Sequence, residues 1–159
     1  MSIEYVPPFA NLRKALRISA DELSVTMSKE LFTTLIAALA DAAGFDPVWY
    51  RATYPDAASA TDRGEYADEL EHFAAVGYQE GWLHRKLSVD QDWYRGNYPD
   101  IDDALRESGD FDTQDHFEEF GYAEGRANSA AVEVEAEKWA EVIARSAALV
   151  HGRVHVTGS

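Results

Sequence analysis

The 159-residue chain has no cysteine. Disulfide staples and thiolate metal sites are therefore excluded, and the redox compartment is left open. Basic residues are scarce: 14 Lys and Arg stand against 29 Asp and Glu, for a formal charge of −15. Such a surface repels the phosphates of nucleic acid and the headgroups of anionic lipid, so neither is expected as a partner. Long hydrophobic runs are missing too. The longest, Leu35 to Ala40, falls far short of the ~20 residues that cross a bilayer, so no membrane span is expected. The opening residues, MSIEYVPPFANLRKALRIS, show no basic stretch followed by an apolar one. No secretory leader is expected on that ground, and the cytoplasm is the default location, with leaderless export left open. Gly-rich phosphate loops, nucleophile elbows and HExxH zinc motifs are absent, and no cofactor is implied.

Aromatic residues, by contrast, are plentiful: four Trp, eight Tyr and seven Phe. With a hydrophobic share of 46%, they supply enough large side chains for a packed core in a single domain spanning 1–159.

Their placement is periodic. Residues 45–82 and 89–126 align at a constant offset of 44 without a gap, with 15 of 38 pairs identical. The first copy reads FDPVWYRATYPD and then DELEHFAAVGYQEGW; the second reads VDQDWYRGNYPD and then DTQDHFEEFGYAEGR. The identities fall mostly on Trp, Tyr, Pro, Gly, His and Phe, which set backbone shape and packing. This favours a duplicated structural unit over a duplicated catalytic site.

Three short helices are expected in each unit. Asp46 caps the first, with Pro47 at its first position, and Asp90 is the equivalent cap. Tyr-Pro-Asp ends that helix, because the residue before proline avoids the α region. Pro55 and Pro99 then open the second. Asp68 and Asp112 cap the third, with Glu71 and Asp115 at capping-box spacing. Gly77 and Gly121 are read as the C′ glycines of that helix in a Schellman arrangement with Tyr78 and Tyr122.

Around the repeats, residues 1–18 read as an extended arm after Pro7 and Pro8, and Leu23–Ser28 as a short strand. Ser28 caps a helix from Lys29 to about Ala43, ended by Gly44. Its expected buried stripe is Leu31, Leu35, Ala38 and Ala42, widened by Phe32, Ile36 and Leu39. Residues 129–150 read as a long amphipathic helix with a seam of Val132, Ala136, Trp139, Ile143 and Val150. Val142 and Leu149 lie beside the seam, and Ser146 interrupts it. Residues 153–157 are a candidate terminal strand beside Leu23–Ser28. The expected fold is mainly α: two tandem three-helix repeats between an N-terminal helix and a long C-terminal helix, with short terminal strands. The segments are 1–44, 45–82, 89–126 and 129–159.

The two units resemble a bacterial repeat of the pattern FDxxWYxxxYPDVAxA followed by HFxxxGxxEGR. Phe45-Asp46, Trp49-Tyr50, Tyr54-Pro55-Asp56, His72-Phe73, Gly77 and Glu80-Gly81 carry the resemblance in the first copy. Asp90, Trp93-Tyr94, Tyr98-Pro99-Asp100, His116-Phe117, Gly121 and Glu124-Gly125-Arg126 carry it in the second. Trp82 stands where the pattern has Arg. The resemblance implies a setting beside glycosyltransferases and in polysaccharide-related or secreted proteins, and it brings no catalytic residue with it.

Several side chains are chemically suggestive. His72 and His116 lie at equivalent positions, eight residues before Glu80 and Glu124, a pairing that could serve acid–base chemistry. Their place near a helix C-terminus favours instead a structural role, bonding carbonyls there. Asp100, Asp102, Asp103, Asp110, Asp112 and Asp115 form an acidic run without EF-hand spacing, which reads as a solvated face and not a calcium site. His151 and His155 are four apart, but Gly152 between them weakens a metal reading. Trp49 and Trp93 could stack on sugar rings, although helical placement favours core packing. Trp82, in an expected exposed turn, and its counterpart Arg126 are the candidate contact residues. The leading expectation is a non-catalytic interaction or scaffold module, an accessory subunit in bacterial surface-polysaccharide synthesis or export. Its partner would be a protein, with a second copy of the chain, a glycosyltransferase and polysaccharide as candidates. A carbohydrate-binding module and an enzyme using His72 or His116 are the alternatives.

Overall fold

The computed structural model describes residues 5–107 and 112–152. The fold is mainly α with one two-stranded sheet. Two compact units divide the chain, Met1–Lys86 and Leu87–Ser159, and each holds one repeat.

The first unit opens on α1 (Phe9–Leu12), which continues as a 3₁₀ turn, Arg13–Ala15. The expected extended arm is corrected here. Pro8 is itself extended, with φ −58° and ψ 141°, but its carbonyl accepts from Asn11 and Leu12. A proline restricts the residue before it and leaves those after it free to coil. The expected strand Leu23–Ser28 shrinks to β2 (Val25–Thr26), paired antiparallel with β1 (Arg17–Ile18). The Ser19 hydroxyl donates to Asp21 at 2.6 Å and accepts from the Ser24 amide at 3.0 Å, holding the turn between them. The candidate strand 153–157 lies outside the described residues.

Helix α2 (Lys29–Ala42) begins as expected, with the Ser28 hydroxyl accepting from the Leu31 amide. It ends at Gly44, whose φ of +81° only glycine takes without strain. Its buried side chains are Ile36 and Ala40, one turn apart, while Phe32, Leu35 and Leu39 are exposed. The expected stripe is thus corrected by roughly one residue. The helix is apolar over much of its circumference, so periodicity alone could not choose a side; packing against the first repeat chose it.

The first repeat comprises α3 (Pro47–Thr53), α4 (Pro55–Asp62) and α5 (Glu69–His72). The second comprises α6 (Gln91–Asn97), α7 (Ile101–Glu107) and α8 (Thr113–His116). The caps work as read: Asp46 accepts from Trp49, Asp90 from Trp93 and Asp68 from Glu71. Asp112 and Asp115 complete a reciprocal capping box. Glu71 does not, because its longer side chain reaches past Asp68 to the Ala67 amide. Pro55 opens α4, whereas Pro99 only opens a turn and α7 starts at Ile101, beside Asp100, which is drawn to Arg126.

The third helix of each repeat ends at its glycine, but without a left-handed turn there. It widens into a π turn, Phe73–Gly77 or Phe117–Gly121, with Tyr78 donating to Phe73 and Tyr122 to Phe117. The Schellman reading of Gly77 and Gly121 is therefore corrected. The left-handed positions are Gly81 and Gly125, with φ of +79° and +77°. Each repeat then closes on its own start. The Asp46 amide donates to the His84 carbonyl at 3.0 Å, and the Asp90 amide to the Asn128 carbonyl at 2.9 Å.

The cores are aromatic. Ala40, Tyr50, Ala57 and Phe73 form the first, with Phe45, Trp49, Tyr54, Leu70 and Trp82 packed around them. Tyr94, Ile101 and Phe117 form the second, with Leu87, Val89, Trp93, Tyr98, Leu105 and Tyr122. Helix α9 (Ala130–Gly152) follows, near the expected bounds, and none of its side chains is buried. Among the described residues no single helix is long and apolar enough to cross a membrane.

Candidate functional site

The matched tyrosines, histidine and glycine, with Trp82 or Arg126, gather at one place in each repeat, around a buried tyrosine. Tyr50 projects from α3 and is wholly buried; its hydroxyl shares a 3.0 Å hydrogen bond with His72 Nδ1. Tyr94 and His116 repeat the pair at 3.1 Å. Burial drives the Tyr50 phenol well above its ordinary pKa and pushes Tyr94 up to about 12, so both stay protonated at neutral pH. Burial pushes the His72 imidazole down, toward its neutral form. The expected partner of these histidines, a helix-end carbonyl, is corrected to a phenol 22 residues earlier.

The same phenol explains the matched glycines. A Cβ on Gly77 would overlap the Tyr50 hydroxyl, and one on Gly121 the Tyr94 hydroxyl. Tyrosine, histidine and glycine thus form one packed unit: the hydroxyl reaches the imidazole by passing directly over the glycine backbone. Around His72 the remaining faces are filled. Trp82 stacks on it at 5.8 Å between ring centroids and Tyr66 meets it edge-on at 4.8 Å.

Trp82 is half-buried, which corrects the expected exposed turn. It lies parallel to Tyr54 with centroids 4.4 Å apart and planes 7° from each other. Arg126 takes the equivalent position, its guanidinium 4.9 Å from the centre of the Tyr98 ring. A flat π system and a planar cation both suit a tyrosine face, which is why Trp can stand in for Arg here. Arg126 also pairs with Asp100 at 2.8 Å and Glu124 at 2.6 Å. Its bonds hold the Asp100 carboxyl below its ordinary range. Both tyrosines use their hydroxyls as acceptors at the end of the repeat, Tyr54 from the Leu83 amide and Tyr98 from the Ala127 amide, each at 3.0 Å. Trp49 and Trp93 are half-buried and meet Tyr54 and Tyr98 edge-on at 6.0 and 5.9 Å.

The acidic run is distributed among local tasks. Asp100 bonds Arg126, Asp102 bonds Arg95, Asp103 lies 3.6 Å from Arg106, and Asp112 and Asp115 cap α8. Asp110 lies outside the described residues. Among those described, no three His, Asp or Glu side chains converge as metal ligands. His151 sits in the last turn of α9, and His155 lies outside the described residues.

One difference between the copies escaped the sequence reading. Helix α2 packs on α5 and its π turn, the segments in which Leu70 joins the core cluster that includes Ala40 and in which Ala74 is buried. The equivalent positions in the second repeat are Gln114 and Glu118. Gln114 donates to Glu118 at 2.6 Å and to the Leu87 carbonyl at 2.8 Å, and accepts from the Val89 amide at 2.9 Å. The residues 44 places after α2 are 73–86, which are already used to finish the first repeat. Among the described residues no helix covers the second repeat as α2 covers the first, and Gln114 and Glu118 make the equivalent positions polar. The signal was present as two apolar-to-polar exchanges at the 44-residue offset, but only the position of α2 gives them meaning.

Charge pairing differs as well, because the acidic partners of the first copy are replaced in the second. Arg51 is held by Asp62 at 2.6 Å and Glu69 at 2.9 Å. The equivalent Arg95 faces Arg106 and Thr113 in sequence register, and pairs with Asp102 instead. Thr113 is buried, and its hydroxyl has no hydrogen-bond partner among the described residues.

His84 supplies a pH handle. Its Nε2 is buried without a protein partner, and burial, with neighbouring Arg85, pushes its pKa below the ordinary 6.5. His72 is lowered in the same direction. For both, the unfolded chain takes up a proton first as pH falls. Stability is therefore full above about pH 6.5 and declines below it, until the depressed folded-state values are passed. The second repeat has Asn128 in place of His84, with its amide donating to the Ser88 carbonyl at 2.8 Å. His84→Asn is expected to flatten part of the loss in urea midpoint between about pH 7.5 and about pH 5.5, leaving the share due to His72. An unchanged pH slope in that variant would rule His84 out as a contributor.

Comparison with family models, with curated proteins and with solved structures returns no match to this chain.

Proposed function

We propose that the chain is a non-catalytic helical interaction module, in which two aromatic repeats form rigid bodies and α9 presents the binding surface. The observation that carries this reading is α9 itself. It is 23 residues long, and Trp139, Ile143, Val150, Val142 and Leu149 on it are all exposed. An apolar helical face of this length gains its stability from packing, so it calls for a partner.

The chemistry of the repeats supports a structural role for the side chains matched between the two copies. Each candidate base is bonded to a buried phenol, and the first is also held between a stacked Trp82 and an edge-on Tyr66. The aromatic side chains that could greet a sugar are half-buried against tyrosines. The resemblance of the repeats to units that accompany glycosyltransferases supports an accessory role in surface-polysaccharide synthesis or export.

The test is site-specific photo-cross-linking in the native cell. A photoreactive residue at position 139 is expected to give discrete protein adducts, whereas one at Val48, equally reachable on α3, gives none. Equal labelling from both positions would remove α9 as the binding surface.

A further inference from the structure

We propose that α9 pairs with α9 of a second copy of this chain, antiparallel, to form a two-fold helical dimer. The proposal deepens the interaction reading above by naming the partner, and it rests on that reading.

The seam runs Val132, Ala136, Trp139, Ile143, Ser146, Val150, in alternating steps of four and three. That is the spacing of a two-stranded coiled coil. Its members reach solvent widely: Trp139 is 50% exposed and Ile143 61%. Val142 and Leu149 widen it along one side, and both are exposed as well.

The order of sizes along the seam is a palindrome centred on Glu141. From either end it reads valine, small, large, large, small, valine. An antiparallel alignment centred on Glu141 sets Val132 level with Val150 of the partner subunit. It sets Ala136 level with Ser146 of the partner subunit and Trp139 level with Ile143 of the partner subunit. Small residues then meet small ones where the helices draw close, and the two large layers flank the two-fold axis. Ser146, an interruption when one helix is read alone, becomes half of a small-residue layer. A parallel alignment stacks Trp139 on its own copy and buries two serines face to face.

Charge selects the same direction. Glu133, Glu135 and Glu137 precede the centre of α9, relieved only by Lys138, Glu141 stands at the centre, and Arg145 follows it with no acidic residue beyond, so the antiparallel register sets Glu137 level with Arg145 of the partner subunit. Antiparallel pairing brings the acidic half of each helix beside the basic half of the other. Parallel pairing places acid beside acid. Opposed helix dipoles add in the same sense.

Because the chain has no cysteine, single substitutions give an unambiguous cross-link. Chains carrying Ala136→Cys mixed with chains carrying Ser146→Cys are expected to form a disulfide-linked pair under mild oxidation, and Ala136→Cys alone is not. Sedimentation equilibrium on the full chain should show the mass rising from 17.7 kDa toward twice that value with concentration. Trp139→Glu should weaken this association at least about 30-fold. Val134→Glu, on the same helix but away from the seam, should leave it unchanged, which separates loss of the seam from loss of the helix. A strict monomer, or efficient linking by Ala136→Cys alone, overturns the proposal. If the chain is monomeric while position 139 still cross-links to a different protein in cells, self-pairing fails and the interaction reading stands. If neither association is found, both fail.

Discussion

Gly77→Ala is expected to destabilise the first repeat by about 3 kcal/mol, the upper end of the range for overpacking a closed core. The added methyl would overlap the Tyr50 hydroxyl, and Phe73 and Trp82 leave no other side open. The phenol cannot retreat, because it is fully buried and bonded to His72 at 3.0 Å. Backbone conformation is not the cause, since Gly77 lies within the π turn and does not take a positive φ. Tyr50→Phe alone should cost about 1–3 kcal/mol, from the imidazole nitrogen it leaves unpaired. Combined with Gly77→Ala, it removes the atom the methyl strikes. The double variant should therefore be more stable than the two single losses predict, by about 1–2 kcal/mol. Urea unfolding of the four proteins measures this, and strict additivity would mean that the contact does not explain the glycine. Gly121 and Tyr94 should behave alike.

Phe73→Ala should cost more than Phe117→Ala, although the two residues are equivalent in the repeats and each is only 2% exposed. Both losses fall in the ~3–5 kcal/mol range for a buried phenylalanine, and the cavity decides where. Phe73 is enclosed by the rings of Phe45, Tyr50, Tyr78 and His84, and lies in the part of the repeat that α2 covers. Its removal leaves a void with rigid aromatic walls. Among the described residues Phe117 meets the rings of Tyr94 and Tyr122, shares its cluster with Ile101 in place of a further ring, and is followed in the turn by the exposed Glu118 and Glu119. Its neighbourhood can relax toward solvent, which recovers part of the loss. Equal midpoint shifts for the two variants would show that α2 contributes little to enclosing the first core.

The cysteine-free chain announced its plan through local signals. Asp46, Asp68, Asp90 and Asp112 cap helices because a short carboxylate reaches an amide two or three residues on, wherever the rest of the chain lies. Pro47 and Gly44 act within a single turn. Such features were legible because their energetics close within a few residues. The N-terminal arm offers no such closure: a proline restricts the residue before it, and the coil after Pro8 forms on bonds from Asn11 and Leu12 to its carbonyl.

The candidate site was legible as a set of residues and not as an arrangement. Tyr50, His72, Gly77 and Trp82 were all visible in the repeat, but the bond from Tyr50 to His72 spans 22 residues and that from Leu83 to Tyr54 spans 29. Nothing in the spacing says that a phenol, and not a helix-end carbonyl, will take the imidazole, because the choice depends on how α3 crosses α5. The exchange of Trp82 for Arg126 looked like a change of surface and proved to be two ways of covering one tyrosine face.

The sequence by itself determined that there are two copies of one helical unit, where their helices start and turn, and that a long helix with an apolar seam follows. These properties depend on neighbours along the chain. The tertiary structure decided which side of α2 is buried, which aromatic faces are occupied, that α2 covers the first repeat, and that the seam of α9 stays in solvent. Each of those is a competition among distant surfaces for the same apolar area, and only the folded chain settles it.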